Sequence, residues 1–157
     1  MSKISPAAAL LQWWARLHRL PGGRWLFALI IRRGIPYTSS VRPEVLTIEP
    51  GHARVMMADR RRVRNHLNSV HAIALANLGE FYGGLAMTAT LPPTVRGILV
   101  GIRVEYHKKA RGVLLAECRC DVPPVTATMN YEVVSRISNS SGDVVATVTA
   151  VWRLDPA

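Results

Sequence analysis

The stretch RRRVRNHLNSVHAIALANLGEFYGG, Arg60 to Gly84, decides the fold. It starts on a cluster of arginines and runs into one of the most apolar segments of the chain, yet it keeps Glu80 among Ala, Leu, Phe and Tyr. A lone carboxylate in such company must be desolvated, hydrogen-bonded or neutralised, because an unpaired buried charge is costly. Glu80 is therefore a site candidate. The plainer alternative is that it reaches solvent from the edge of an amphipathic helix.

The apolar run predicts a helix from about Val70 to Leu91, closed by Pro92-Pro93. Ala72, Ala74, Ala76, Gly79, Gly83, Gly84, Ala86 and Ala89 are small. Small residues let a curved sheet approach a helix backbone closely. The run is long enough to span a bilayer, which needs about 20 apolar residues, but His71, Asn77 and Glu80 interrupt it. Gly79 and Gly83 form a GxxxG of the kind that pairs membrane helices. With Glu80 between them, close packing in a water-soluble core is the better explanation.

On both sides of the helix the period changes to that of strands. VRPEVLTIE and HARVMMAD flank Pro50-Gly51 and read as a hairpin. Downstream, GILVGIRVEYHK, GVLLAECRCDV, MNYEVVSRISN and DVVATVTAVWRL read as four more strands. The N-terminal segment is helical: Leu10, Leu11, Trp13, Trp14 and Leu17 recur at helical spacing, PGG breaks the pattern, and Arg24 to Arg33 resumes it. The expected organisation is a helical leader, residues 1–36, packed on one domain, residues 37–157. One helix cannot cover both faces of a six-stranded sheet, so the sheet must curl around it or meet another sheet. That predicts a dimer.

At 157 residues with 49% apolar content, the chain has the length and composition of one folded domain. Its net charge is +10, from twenty Lys and Arg against ten Asp and Glu. A nucleic acid, an anionic membrane or a phosphate-bearing small molecule would each satisfy that excess. Thirteen of the twenty basic residues fall in three groups: Lys3, Arg16, Arg19, Arg24, Arg32 and Arg33, with no acid among residues 1–33; then Arg60, Arg61, Arg62 and Arg64; then Lys108, Lys109 and Arg111. They scatter rather than interleave with aromatics on one strand, which argues against nucleic acid. The basic, Trp-bearing leader suits peripheral membrane contact through residues 1–33, although helices more often simply pack on their domain.

PAAALLQWWA is a poor signal sequence, since Gln and two Trp interrupt it. Cys118 and Cys120 lie two apart in a strand, where a disulfide rarely forms, and the reducing cytoplasm is the expected location. No metal site is expected: His66 and His71 are five apart, unlike the i, i+4 pair of a helical zinc site. No phosphate-binding loop, dinucleotide fingerprint or serine elbow occurs.

A hairpin, a long small-residue helix and four further antiparallel strands resemble the hotdog fold, an α+β architecture with a curled antiparallel sheet around one central helix. The residues sharpen the likeness. In PaaI-type hotdog thioesterases an Asn in the loop before the helix is followed six residues later by His at the helix start, and nine after that by an acid on the helix. Asn65, His71 and Glu80 keep both spacings. VEYHKKARG, Val104 to Gly112, is similar to the strand and basic turn of that family, so the resemblance covers about residues 40–155. The leader is similar to that of a narrower, largely uncharacterised bacterial hotdog group that carries a domain-of-unknown-function label. There are departures: Ala72 and Ile73 replace two glycines of the family, Glu80 stands where the PaaI type has Asp, and a later Ser or Thr has only Thr90 and Thr94 as loose candidates.

The resemblance implies hydrolysis of an acyl-CoA or similar acyl thioester, with coenzyme A as part of the substrate and no further cofactor. The alternative is a noncatalytic module that binds acyl-CoA or an acyl carrier. Thioester hydrolysis needs a donor for the carbonyl oxygen as it gains charge and a base on the other side. The helix start offers the backbone amides of Ala72 or Ile73 as the first, and Glu80 offers the second, by activating water or attacking directly. Asn65 would anchor the water or the substrate amide, and His71 would orient the loop. His66 and Asn68 stay open as substitutes in those roles. Arg62, Arg64, Lys108, Lys109 and Arg111 are candidates for the phosphates of coenzyme A, although solvated turns explain each of them as well. On a regular helix positions 71 and 80 point about 180° apart, which assigns them to different chains of a homodimer, as the resemblance also implies. That angle loses force if His71 precedes the helix. A dimer of dimers stays open.

Overall fold

The computed structural model describes residues 6–156; Lys3 and the start of the leader lie outside them. Three helices come first: α1 (Pro6–Leu17), α2 (Gly23–Gly34) and the short α3 (Pro36–Ser39). The hairpin follows as β1 (Glu44–Glu49) and β2 (His52–Ala58), then α4 (Ala72–Thr88), β3 (Val95–Tyr106), β4 (Val113–Arg119), β5 (Met129–Ser138) and β6 (Val144–Pro156).

The strands form one antiparallel sheet in the order β1-β2-β4-β5-β6-β3. Alternation fixes which face turns inward. In β2 Ala53, Val55 and Met57 are buried, and in β4 Leu114, Ala116 and Cys118. The sheet curls around α4, which touches all six strands. The glycines permit that approach: a Cβ on Gly79 would stand 2.6 Å from Val148 Cβ, and one on Gly83 2.7 Å from Ser135 Oγ. Ser135 Oγ donates to the Gly79 carbonyl at 2.7 Å, satisfying its own buried hydroxyl.

The helix is shorter than the apolar run predicts. Val70 pairs with Arg64 in an isolated β-bridge, and His71 keeps an extended backbone as the N-cap. At the other end Thr90 Oγ1 donates to the Met87 carbonyl at 2.7 Å, which helps to end the helix before the prolines. The leader packs through Trp14, which stacks on His18 and meets the Phe27 ring edge-on at 5.1 Å. Its helical character continues past residue 36 through α3, and Asn77 Nδ2 of α4 donates to the Tyr37 carbonyl at 3.4 Å.

Candidate active site

The loop between β2 and α4 is held by Asp59, whose side chain is nearly inaccessible. Its carboxylate accepts from Arg64 Nε at 2.7 Å, Arg64 Nη2 at 3.2 Å and the Gly112 amide at 3.1 Å. The Arg64 guanidinium holds the Asp59 carboxyl below its usual range, outweighing the burial that pushes the other way. Arg64 Nη1 also donates to Asn68 Oδ1 at 3.1 Å, so each guanidinium nitrogen makes one bond within the loop and one N–H on each Nη remains. Arg111 Nε donates to the Asn68 carbonyl at 2.9 Å, and the Val70 amide donates to the Ala110 carbonyl at 2.8 Å. The loop is thereby fastened to the β3–β4 turn.

Within this frame Asn65 Oδ1 accepts from the amides of Leu67 at 3.0 Å and Ser69 at 3.2 Å. Two backbone donors fix which end of the side chain is oxygen. The Asn65 Nδ2 group is left as a donor with no acceptor among the described residues. At the helix start His71 Nδ1 accepts the Ile73 amide at 3.1 Å, which places the ring proton of the neutral form on Nε2. The Ile73 amide is therefore occupied by the cap. The Ala72 amide has no acceptor among the described residues, and the Ala72 carbonyl accepts from the Tyr106 hydroxyl at 3.1 Å.

These groups line a cleft of about 330 Å³ whose walls include Asn65, Leu67, Ser69, Ala72, Tyr106, Lys108 and Lys109. Four of the residues expected from sequence thus meet: Asn65, Ala72, Lys108 and Lys109. His71 and Ile73 border the cleft from the cap without lining it, and Arg111 fastens its floor to the loop. Lys108 pairs with Asp143 at 2.9 Å on the exposed side. Arg62 is exposed and outside the cleft, as are His66 and Thr94. A larger hollow of about 500 Å³, lined by Glu49, Gly51, His52, Arg119 and Cys120 among others, shares no residue with it.

Glu80 lies outside the cleft as well. It is half-buried on α4 with no hydrogen bond or ion pair among the described residues, and burial pushes its carboxyl up from the usual range. Because His71 is the N-cap rather than a helical residue, the 180° separation does not apply. Axial distance replaces it: eight residues separate Ala72 from Glu80, about 12 Å of helix rise. A water held at the Ala72 amide is out of reach of the Glu80 of the same chain.

Sequence reasoning missed Asp59 and Tyr106. Asp59 joins its near neighbour Arg64 to Gly112, 53 residues on, and Tyr106 reaches Ala72 across 34 residues; no local pattern announces the distant contacts.

The curled antiparallel sheet and the helix it wraps define the hotdog fold, with the cleft at the helix start. The family model described as "Domain of unknown function (DUF4442)" matches residues 23–154, and the chain belongs to that family. A comparison with curated proteins gives no match. Among solved structures, the structural-genomics target APC5556 is 29% identical with a TM-score of 0.83, over 94% of this chain and 98% of that one. Pseudomonas aeruginosa PA5026, described as a protein of unknown function and probable thioesterase, is 21% identical with a TM-score of 0.74, over 88% and 97%. Streptococcus mutans smu.793, solved bound to acetyl CoA, is 20% identical with a TM-score of 0.63, over 73% and 89%.

Proposed function

We propose that the protein is an acyl-CoA thioesterase that works as a homodimer. The observation that carries this reading is the cleft, where the Ala72 amide and Asn65 Nδ2, both without acceptors among the described residues, line one space rimmed by Lys108 and Lys109. A free amide at the helix start and a free side-chain donor from the loop before it suit a thioester carbonyl oxygen as it gains charge. The lysines suit the phosphates of coenzyme A.

In the proposed reaction a water oxygen attacks the thioester carbonyl carbon. Glu80 takes the water proton, and the carbonyl oxygen, now negative, is held by the Ala72 and Asn65 donors. Collapse re-forms the C=O bond and breaks the C–S bond, and the CoA sulfur leaves with the proton that Glu80 returns. A carboxylate raised by burial is better matched to this exchange near neutral pH than an ordinary one. The Glu80 that serves each cleft comes from the partner subunit, because 12 Å of helix separates it from its own Ala72.

The long edge strand supports that assembly. The outer edge of β3 has no strand partner among the described residues, and Ile98, Val100 and Ile102 on it are about half exposed. Such an edge is a template for pairing with a second copy. Tyr106 at its end also walls the cleft, so a partner across β3 would abut the site.

A panel of short, long and aromatic acyl-CoAs, with free CoA followed by chromatography, tests the reading. Release by the parent but not by Glu80→Gln is expected. Binding of acyl-CoA by a folded dimer without any release would replace it with a noncatalytic acyl-CoA-binding protein, which Ala72 and Ile73 in place of two glycines would then explain.

A further inference from the structure

Each leader helix buries one stripe and exposes another. On α1, Leu10, Trp14 and Leu17 are buried, while Trp13, Arg16 and, in the turn beyond, Leu20 recur at i, i+3 and i+7 on the exposed side. The Arg16 guanidinium lies over the Trp13 ring, 5.9 Å from its centroid. On α2, Phe27 and Ile31 are buried, while Trp25, Leu26, Arg32 and Arg33 face solvent. Trp25 is 68% exposed and Leu20 56%. No Asp or Glu precedes Glu44 in the sequence. The leader thus presents tryptophan, leucine and arginine without a counter-charge of its own, on helix surfaces that no described residue covers.

We infer that this face docks on an anionic lipid bilayer. Charge decides against a second copy as the occupant, since two acid-free basic surfaces would repel. A nucleic acid would accept the arginines and stack on the indoles but gives Leu20 and Leu26 no apolar phase. The boundary between headgroups and acyl chains takes all three residue types at once, with indole rings at headgroup depth, leucines below them and guanidinium groups on phosphate. No helix among the described residues is long and apolar enough to cross a membrane, so the contact is peripheral.

Sedimentation of the full chain with phosphatidylcholine vesicles, and with mixed phosphatidylcholine–phosphatidylglycerol vesicles, tests this. The protein is expected to sediment with the anionic vesicles alone, with a blue shift of tryptophan emission. Arg32→Gln with Arg33→Gln should weaken partitioning about thirtyfold, since each basic residue near an anionic surface contributes a factor of about five. Trp25→Ser with Leu26→Ser should weaken it too. Leu20→Ser, in the turn outside both helices, gives an independent check should either pair lower stability. Failure to sediment with anionic vesicles, partitioning that no variant alters, or binding to a DNA duplex at a salt concentration that abolishes vesicle binding would overturn the inference.

Discussion

Burial holds the Glu80 carboxyl above its usual range, and this has opposite consequences for stability and turnover. A carboxyl with a higher pKa folded than unfolded binds more protons in the folded state between the two values. Stability therefore falls as pH rises from the unfolded value, about 4.3, through the folded one. Glu80→Gln removes that loss, so the variant should show no turnover yet unfold at pH 7 at a temperature equal to or above the parent's, measured by calorimetry. In the parent, kcat/KM should rise with pH through the same folded pKa, placing its acid limb above that of an ordinary glutamate. Asn65→Asp keeps the oxygen that accepts from Leu67 and Ser69, but it replaces the Nδ2 donor with an acceptor oxygen and adds a negative charge beside the developing oxyanion. Steady-state kinetics should show kcat lowered by at least about 10²- to 10³-fold, the cost of one oxyanion donor, with charge repulsion adding to the loss and the fold intact. That Asn65 and Ala72 would meet was legible because their spacing is a property of the chain itself, whereas Glu80 was singled out by its apolar company and lies outside that cleft. Which donors are already occupied was not: the commitment of the Ile73 amide to His71 and of Arg64 to Asp59 depends on the path of the loop.

Among the elements, α4 shows most clearly how composition becomes packing. Its small residues predict a sheet pressed against the backbone, and the 2.6 Å between a built Cβ on Gly79 and Val148 Cβ gives that approach a magnitude. Alanine at position 79 gains helix propensity of about 1 kcal/mol but must displace a β-branched side chain in the core, at roughly 1–3 kcal/mol. Gly79→Ala should therefore lower stability by about 1 kcal/mol in urea denaturation. Strand positions were read from alternation and agree with the structure to within a few residues. The ends of α4 were overextended, since the tertiary bridge that takes Val70 and the hydroxyl of Thr90 that meets Met87 leave no mark in apolar periodicity.

At the scale of the whole molecule, sheet order is the part the sequence does not spell out. That β3 lies beside β6, and β2 beside β4, follows from where α4 carries the chain, and strand periodicity gives no such order. The placement leaves β3 as an apolar edge next to the cleft and leaves Glu80 far from the donors of its own chain, and the proposed dimer rests on these two features. Mixing refolded Glu80→Gln and Asn65→Asp subunits tests this composite site most directly, with CoA release as the readout. Each variant alone should be inactive. In a two-fold dimer with random reassortment, half the dimers are mixed and each has one intact site, so about a quarter of parental activity should return. A mixture as inactive as its components, although mixed dimers form, would contradict a site shared between subunits.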